Sequence, residues 1–538
     1  MEATVSSATA ESGTSVLKSY VAGQWLTGRG KGEALVNPTN GAVVAWCGTE
    51  GIDFGKALAF ARNSGGPALR ELTFSARAAL LAKIAEALAS RRDRWFEIAR
   101  INSGNTKTDA AIDIDGAIGT VKYFARLGAG LGNAKILTDG PQVRVARDPN
   151  FQATHVGVPL KGVAVHINAY NFPAWGLWEK ASVSLLAGVP VFTKPATATA
   201  WLAREMVQCV IEAGILPEGS LSIGCGSAQD LLNHLRLGDV VCFTGSAATG
   251  NLVLNHPAIR AQGVRVNIEA DSLNAAMLGP DVAAGSPAFD FFAREVVKEM
   301  TVKAGQKCTA IRRILVPADR ANAPAEAIGA QLQQITVGDP TNSGVAMGPL
   351  VNMPQRVAVE EGIRRLSAAS EVSYQASPLK LIDAEIEKGA FVGPMLLQVE
   401  SGNGSLACNE LEVFGPVATL IPYRDKRDAF SIAEQGGGSL AVSVFSEDAS
   451  FLAEAALELA PSHGRVLLVD PSIGQSHTGH GIVMPSCIHG GPGRAGGGEE
   501  LGAFRGLWFY HQKVAVQASA ATLTNIAQQA VNPAVTQS

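Results

Sequence analysis

The stretch "DVVCFTGSAATGN", Asp239 to Asn251, runs from a short apolar segment into Thr-Gly-Ser, two alanines and a second glycine. A buried strand that ends in a tight turn and opens a helix reads this way, and backbone N–H groups in such a turn can approach a phosphate closely. Alone, the pattern also describes any tight strand-to-helix turn. Its weight comes from what precedes it. "GVAVHINAYNFP" leads to a helix near Trp178 to Leu186, "VPVFTKPA" to a helix over 199–213, and "LSIGCG" to a helix from Ala228 to His234. Strands alternating with helices predict a parallel sheet covered on both faces, with ligands at the carboxyl ends of the strands.

Beyond about residue 285 the rhythm restarts: "RRILVP", helical stretches near 323–334 and 354–369, "VATLIPY", a helix near 427–434, "LAVSVFS" and "GRVLLVD". A second α/β unit of similar size is expected, since 538 residues exceed what one core organises. Upstream, "SYVAGQWL" and "ALVNPTNGAVVAWCG" read as short strands, with Asn40-Gly41 as a hairpin corner. From Ser75 to about Ile101, Leu81, Ile84, Leu88, Trp95 and Ile98 fall on one helical face. "VRVARD" and "ATHVGVPLKGVAVHI", between 143 and 167, look extended. The first fifteen residues and "NIAQQAVNPAVTQS" read as frayed tails.

Hydrophobic residues are 47% and charged residues 17% of the chain, the balance of a globular protein with ample interior. A net charge of −4 provides no overall basic field for nucleic acid or an anionic membrane. No apolar run reaches the roughly 18 residues of a membrane span, and the N-terminus lacks a basic region followed by an apolar one, so a cytoplasmic location is expected. The seven cysteines are scattered without a CxxC pair, which points to neither a disulfide framework nor zinc.

Two residues stand out. Glu269 ends the strand-like "VRVNIE", where a carboxylate must reach solvent, pair with a cation or accept a proton. Cys308, in "MTVKAGQKCTAIRR", is either a small buried hydrophobe or a nucleophile. Its flanks are not a core sequence, and Lys303, Lys307, Arg312 and Arg313 would favour thiolate. The nine histidines offer no rival centre; His477 and His480 are the one close pair, without a third ligand nearby. No GxSxG elbow and no phosphate-binding GxxxxGK[ST] loop occur.

In their order along the chain, "NPTNGAVVA", "INAYNFP", "VPVFTKPA", "AGILPEGSLSIG", "CFTGSAATG", "NIEA", "AGQKCTAIRRILV", "NELEVFGPVA" and "HGGPGRAGGGEELG" resemble the aldehyde dehydrogenase superfamily over nearly the whole length. The resemblance implies two doubly wound α/β domains with a small β bridging arm. It divides the chain into a cofactor domain over 1–142 and 160–284, a catalytic domain over 285–490, and an arm with C-terminal segment over 143–159 and 491–538. It also implies Cys308 as nucleophile, Glu269 as general base and Asn171 as the oxyanion-hole amide, with no metal. Lys194 and Glu412 match residues that hold the cofactor riboses, Phe414 packs beside the nicotinamide, and Gly245, Ser246 and Gly250 belong to the pyrophosphate turn.

Three departures from the family pattern matter. "KPAT" puts Thr197 where a glutamate usually holds the adenosine ribose; without that charge a second phosphate is not repelled, so NADP is predicted over NAD. "EADSLNA" keeps the base but loses the glycines of "ELGGKSP", so the loop behind it must differ. "GGPGRAGGGEELG" resembles the branch serving aerobic phenylacetate and benzoyl-CoA degradation, which implies a CoA-linked semialdehyde such as 3,4-dehydroadipyl-CoA semialdehyde. The chain lacks a following hydratase domain, which favours the benzoyl-CoA side. A CoA-acylating dehydrogenase and a non-catalytic protein of the same fold are the competing readings. The arm strands imply at least a homodimer, because an uncovered sheet edge invites pairing.

Overall fold

The computed structural model describes residues 15–402 and 406–534. The first fourteen residues, where the sequence suggests a frayed tail, lie outside the described residues.

The opening stretch forms the strand Val240–Thr244, a turn, and the helix Ala247–Leu254. This strand lies within a seven-stranded sheet ordered Arg265–Glu269, Val240–Thr244, Ala164–Ile167, Val191–Lys194, Leu221–Ile223, Ser19–Val21 and Gln24–Leu26. The first five strands are parallel; the last two form an antiparallel hairpin against Leu221–Ile223. Successive strand residues point to opposite faces. Val191 and Val240 join a core with the helices Phe74–Ser90, Lys107–Gly130 and Trp175–Ala187, while Phe192 and Val241 join another with Phe54, Leu58 and Val253. Burial on both faces explains why these strands read as continuous apolar runs.

A second seven-stranded sheet runs Glu371–Gln375, Met395–Gln398, Val417–Tyr423, Arg313–Pro317, Ala275–Leu278, Val442–Phe445 and Val466–Val469, parallel except at its first strand. The predicted helices near 323–334, 354–369 and 427–434 are found at Asn322–Leu332, Met353–Ser367 and Lys426–Glu434.

Four expectations need correction. The strand Ala275–Leu278 pairs with Arg313–Pro317 and Val442–Phe445, so the first unit, drawn to 284, loses its last strand to the second sheet. A fully buried "AAML" fits the middle of either sheet, and only its partners distinguish them. The arm, drawn as 143–159 and 491–538, is a five-stranded sheet of Ile136–Thr138, Val143–Arg144, Phe151–Pro159, His511–Ser519 and Ala530–Val531. Residues 491–509 lie elsewhere: Glu499–Leu501 pairs with Ile488–Gly490, and Leu507 of the helix Phe504–Phe509 enters the first core. The C-terminal stretch as far as it is described, to residue 534, is not frayed, because Ala520–Ala527 is a helix capped by Ser519 and anchored by fully buried Leu523, and Ala530–Val531 pairs with Ile136–Leu137; residues 535–538 lie outside the described residues. Finally, 228–234 yields only the short turn Leu231–His234.

Candidate active site

Strand register gathers the first group of candidates. Lys194 lies opposite Ile167, Phe243 opposite Ile167, and Thr244 opposite Glu269, so these residues share the carboxyl edge of the first sheet. The Gly245 amide donates to the Glu269 carbonyl at 3.1 Å, tying the two strand ends together. A Cβ on Gly245 would come within 2.6 Å of the Phe243 ring, and one on Gly250 within 3.1 Å of Ile268. Close backbone approach is therefore why this turn carries glycine. Ser246 caps the helix, accepting from the Thr249 amide at 3.3 Å. Burial lowers the pKa of Lys194 at the end of its strand, and Thr197 opens the single turn Thr197–Thr199.

Cys308 is carried by a loop held in place by side chains. After the helix Pro287–Thr301, Lys303, Ala304 and Gly305 take consecutive left-handed conformations, with φ of 54°, 52° and 71°. For the two non-glycine residues this costs energy that the surroundings must supply. Gln306 donates to the Lys303 carbonyl at 2.9 Å and accepts from the Val351 amide at 3.0 Å. Arg312 donates to the Gly415 and Gly305 carbonyls, both at 2.8 Å. Asn274 donates to the carbonyls of Cys308 at 2.8 Å and Ala310 at 3.0 Å.

The basic residues expected to favour thiolate are committed elsewhere. Lys307 forms a buried pair with Glu299 at 2.6 Å. Lys303 sits over the Phe172 ring, 4.5 Å from its centroid. Arg313 donates to the carbonyls of Leu273, Ile432 and Ala433. Burial, and then the Glu269 carboxylate, instead raise the Cys308 thiol well above its ordinary value. The expectation failed because alternating charges in sequence do not reveal which way each side chain leaves the loop.

Glu269, Cys308 and His489 bring their polar atoms within 4.8 Å of one another. The Cys308 sulfur lies within 4.8 Å of the Glu269 carboxylate, and His489 Nε2 lies 3.2 Å from Glu269 Oε1. Burial would raise the Glu269 carboxyl, but His489, Lys180 and the Cys308 thiol outweigh it and hold it below the usual carboxylate range. His489 belongs to this centre, contrary to the reading that the histidines offered none. The strand Ile488–Gly490 delivers it, and the glycine run beyond docks on the Glu269 strand: the Gly498 amide donates to the Ile268 carbonyl at 3.1 Å. A Cβ on Gly496 or Gly498 would stand 2.4 Å from that oxygen.

Behind Glu269 lies a buried group that sequence reading missed. Lys180 pairs with Glu179 and with Glu500 at 3.1 Å, and Glu179, Glu269 and Glu500 approach within 4.8 Å of one another. Burial opposes the charge on Lys180, but the three carboxylates more than offset it and raise its pKa. The signal was available: Glu179-Lys180 is the one charged pair in a helix otherwise of apolar and small residues, whose residues 177–187 are all buried, leaving the pair no route to solvent.

Cys308 also lines a cavity of about 350 Å³ with Phe172, Trp175, Tyr123 and Met484. Asn171 is 7% exposed and adjoins Phe172, but does not itself form part of the cavity wall. On the other side, Phe414 stands edge-on to Tyr170 at 5.9 Å with Arg312 over its face at 5.4 Å. Glu412 accepts from the Ser272 amide at 3.2 Å through Oε2, while its buried Oε1 has no hydrogen-bond partner. Burial pushes its carboxyl up to about 7.

The sequence profile described as "Aldehyde dehydrogenase family" matches residues 25–504. A 3,4-dehydroadipyl-CoA semialdehyde dehydrogenase of Aromatoleum evansii is 52% identical over 477 residues, covering 88% of this chain and 93% of that protein. The glutarate-semialdehyde dehydrogenase of Pseudomonas putida is 26% identical, covering 80% of this chain and 86% of that protein. Among solved structures, 3,6-anhydro-L-galactose dehydrogenase superposes with a TM-score of 0.82 at 21% identity, over 94% of this chain and 100% of that one. The family profile spans the parallel strands of the first sheet, the whole second sheet and the loop bearing Cys308: the chain belongs to the aldehyde dehydrogenase family.

Proposed function

We propose that the protein oxidises a CoA-linked semialdehyde, such as 3,4-dehydroadipyl-CoA semialdehyde, to the carboxylic acid, with NADP as hydride acceptor. One contact carries the reading: the Cys308 thiol against the ionised Glu269 carboxylate, at the wall of a cavity that can hold a small substrate. The identity of 52% to the Aromatoleum evansii enzyme supports the substrate class.

The resting thiol is protonated, so its proton must leave as sulfur attacks. Glu269, ionised and within 4.8 Å of that thiol, is the acceptor nearest at hand. Sulfur then bonds to the aldehyde carbon, and the oxygen acquires negative charge, for which the Asn171 amide and the Cys308 backbone N–H are the proposed donors. NADP, when bound, supplies the acceptor for the hydride that leaves this carbon, and a thioester on Cys308 remains. Once that proton has passed to a neighbouring group, Glu269 takes a proton from the attacking water and returns it to the departing sulfur, so that the acid leaves as the thiol re-forms. The Lys180 cluster behind Glu269 keeps the carboxylate ionised and offers neighbouring groups to which its proton can move.

Several residues fit the cofactor. Glu412 Oε1, without a hydrogen-bond partner and 3.8 Å from Arg312, suits a ribose hydroxyl, the glycines of the 245–250 turn permit a close backbone approach to the pyrophosphate, and Lys194 and Thr197 lie at the strand end two places along the sheet. Phe414 would pack beside the nicotinamide. Thr197 in place of a carboxylate favours NADP over NAD. A homodimer is proposed from the arm, where His511–Ser519 is an outer strand and Val514, Phe151 and Val143 are exposed.

Purified protein mixed with the CoA-linked semialdehyde and NADP should release NADPH and a free carboxylate with its CoA thioester intact. Reduction that requires added CoA, with a second thioester as product, would replace this reading with the CoA-acylating one.

A further inference from the structure

The cavity beside Cys308 has one wall made by a single helix. Lys107–Gly130 presents Ile112, Gly116, the adjacent Gly119 and Thr120, Tyr123 and Arg126 to it, otherwise three or four residues apart, and these form one stripe. Two of these are glycines in a helix interior, where each costs about 1 kcal/mol relative to alanine. Packing does not require them. A Cβ on Gly119 would meet nothing within 4 Å, and one on Gly116 only Trp175 Cδ1 at 3.4 Å. What the missing side chains leave is width in the cavity. Arg126 is the one formally charged residue type along its walls, and it is exposed with no carboxylate in ion-pair distance among the described residues. A volume of about 350 Å³ lies at the small end of ligand sites. It suits a linear acyl chain and leaves any nucleotide outside.

We propose that Gly119 and Arg126 set substrate specificity: the bare helix admits a linear aldehyde, and Arg126 binds an anionic group carried at its far end. This deepens the reading above and rests on it. The anion has two chemical sources, a free carboxylate on a short semialdehyde or the phosphates of a CoA arm, and the shared chemistry is an oxyanion met by a guanidinium.

The test compares kcat/KM for hexanal, adipate semialdehyde and the CoA-linked semialdehyde in the wild type, Arg126→Ala, Arg126→Lys and Gly119→Leu. Arg126→Ala should lower the ratio of anionic to neutral substrate by about tenfold or more, chiefly through KM, with partial recovery in Arg126→Lys and weakening of the wild-type ratio by salt. Gly119→Leu should lower kcat/KM for the longer substrates by about tenfold without lowering Tm, because leucine is the better helix former. An unchanged ratio in Arg126→Ala, or an equal loss on all three substrates, would overturn the role of Arg126 while leaving the CoA reading standing. Full activity of Gly119→Leu on the CoA-linked substrate would overturn the width argument. If only adipate semialdehyde depends on Arg126 and the CoA-linked substrate is not turned over, anion recognition stands and the CoA reading falls.

Discussion

Glu269 and Cys308 meet across the cleft, but they are held by different means. Glu269 ends a strand, and its backbone position follows from five register pairs with Val240–Thr244 and from the glycine run that docks on it. Cys308 sits in a loop without regular hydrogen bonding, and its position depends on Gln306, Arg312, Asn274 and the buried pair Lys307–Glu299. A strand end is placed by many weak, redundant backbone bonds. A loop of this kind is placed by a few side chains, each of which leaves a buried polar group unsatisfied when removed.

The comparison breaks most completely at the nucleophile itself. Cys308→Ser should lower kcat by at least about 10⁴-fold while thermal unfolding is unchanged, since it removes the reacting atom and little packing. Next is the loop's support. Lys307→Met strands the Glu299 carboxylate in the interior and should cost about 3–5 kcal/mol, read by denaturant unfolding. Burial opposes ionisation of Glu299, but Lys307 and its neighbours win and hold it below its unfolded value. The wild type therefore keeps this contribution above the unfolded carboxylate pKa and loses it as pH falls through the folded value; the variant should lose that acid-side slope.

On the strand side, Glu269→Gln should lower kcat by about 10²-fold, with an acyl adduct on Cys308 visible by intact mass. The carboxylate raises the thiol, so its removal should shift the pH profile of Cys308 alkylation to lower pH. A profile that moves upward would refute the electrostatic assignment. The smallest effect concerns Asp271, one of the departures at "EADS". Its Oδ1 accepts from the Ala247 amide at 2.9 Å, at the helix start proposed to receive the pyrophosphate. Two anions compete there, so Asp271→Asn should tighten cofactor binding about three- to tenfold, measured by fluorescence titration.

Much of this architecture was legible in sequence because its signals are local. Apolar runs followed by glycine turns mark buried strands, and helical spacing marks the helices that cover them. The turn at Gly245 was visible too, whereas the Cys308 flanks, which read as unlike a core, are buried, with Gln306, Lys307 and Thr309 4%, 1% and 2% exposed. His489, Lys180 and Glu500 were not grouped, although the charged pair inside an apolar helix offered a clue. They reach Glu269 from positions far away along the chain, through pairings no local window contains. The strand at Ala275–Leu278 was misassigned for the same reason: its residues suit any buried position, and only its neighbours decide the sheet.

The sequence by itself determined the class of fold and marked Glu269 and Cys308 for attention, because periodicity, turn chemistry and residue identity are properties of short stretches; the expected roles of those two residues, and the loss of a carboxylate at Thr197, came from its resemblance to the family pattern. Tertiary structure alone decided the electrostatics. Lys307, Lys303 and Arg313, near Cys308 in sequence, are committed to Glu299, the Phe172 ring and backbone carbonyls, and a histidine 181 positions downstream comes to 3.2 Å from Glu269. Charge acts through distance in space and through burial, and neither is a property of order along the chain.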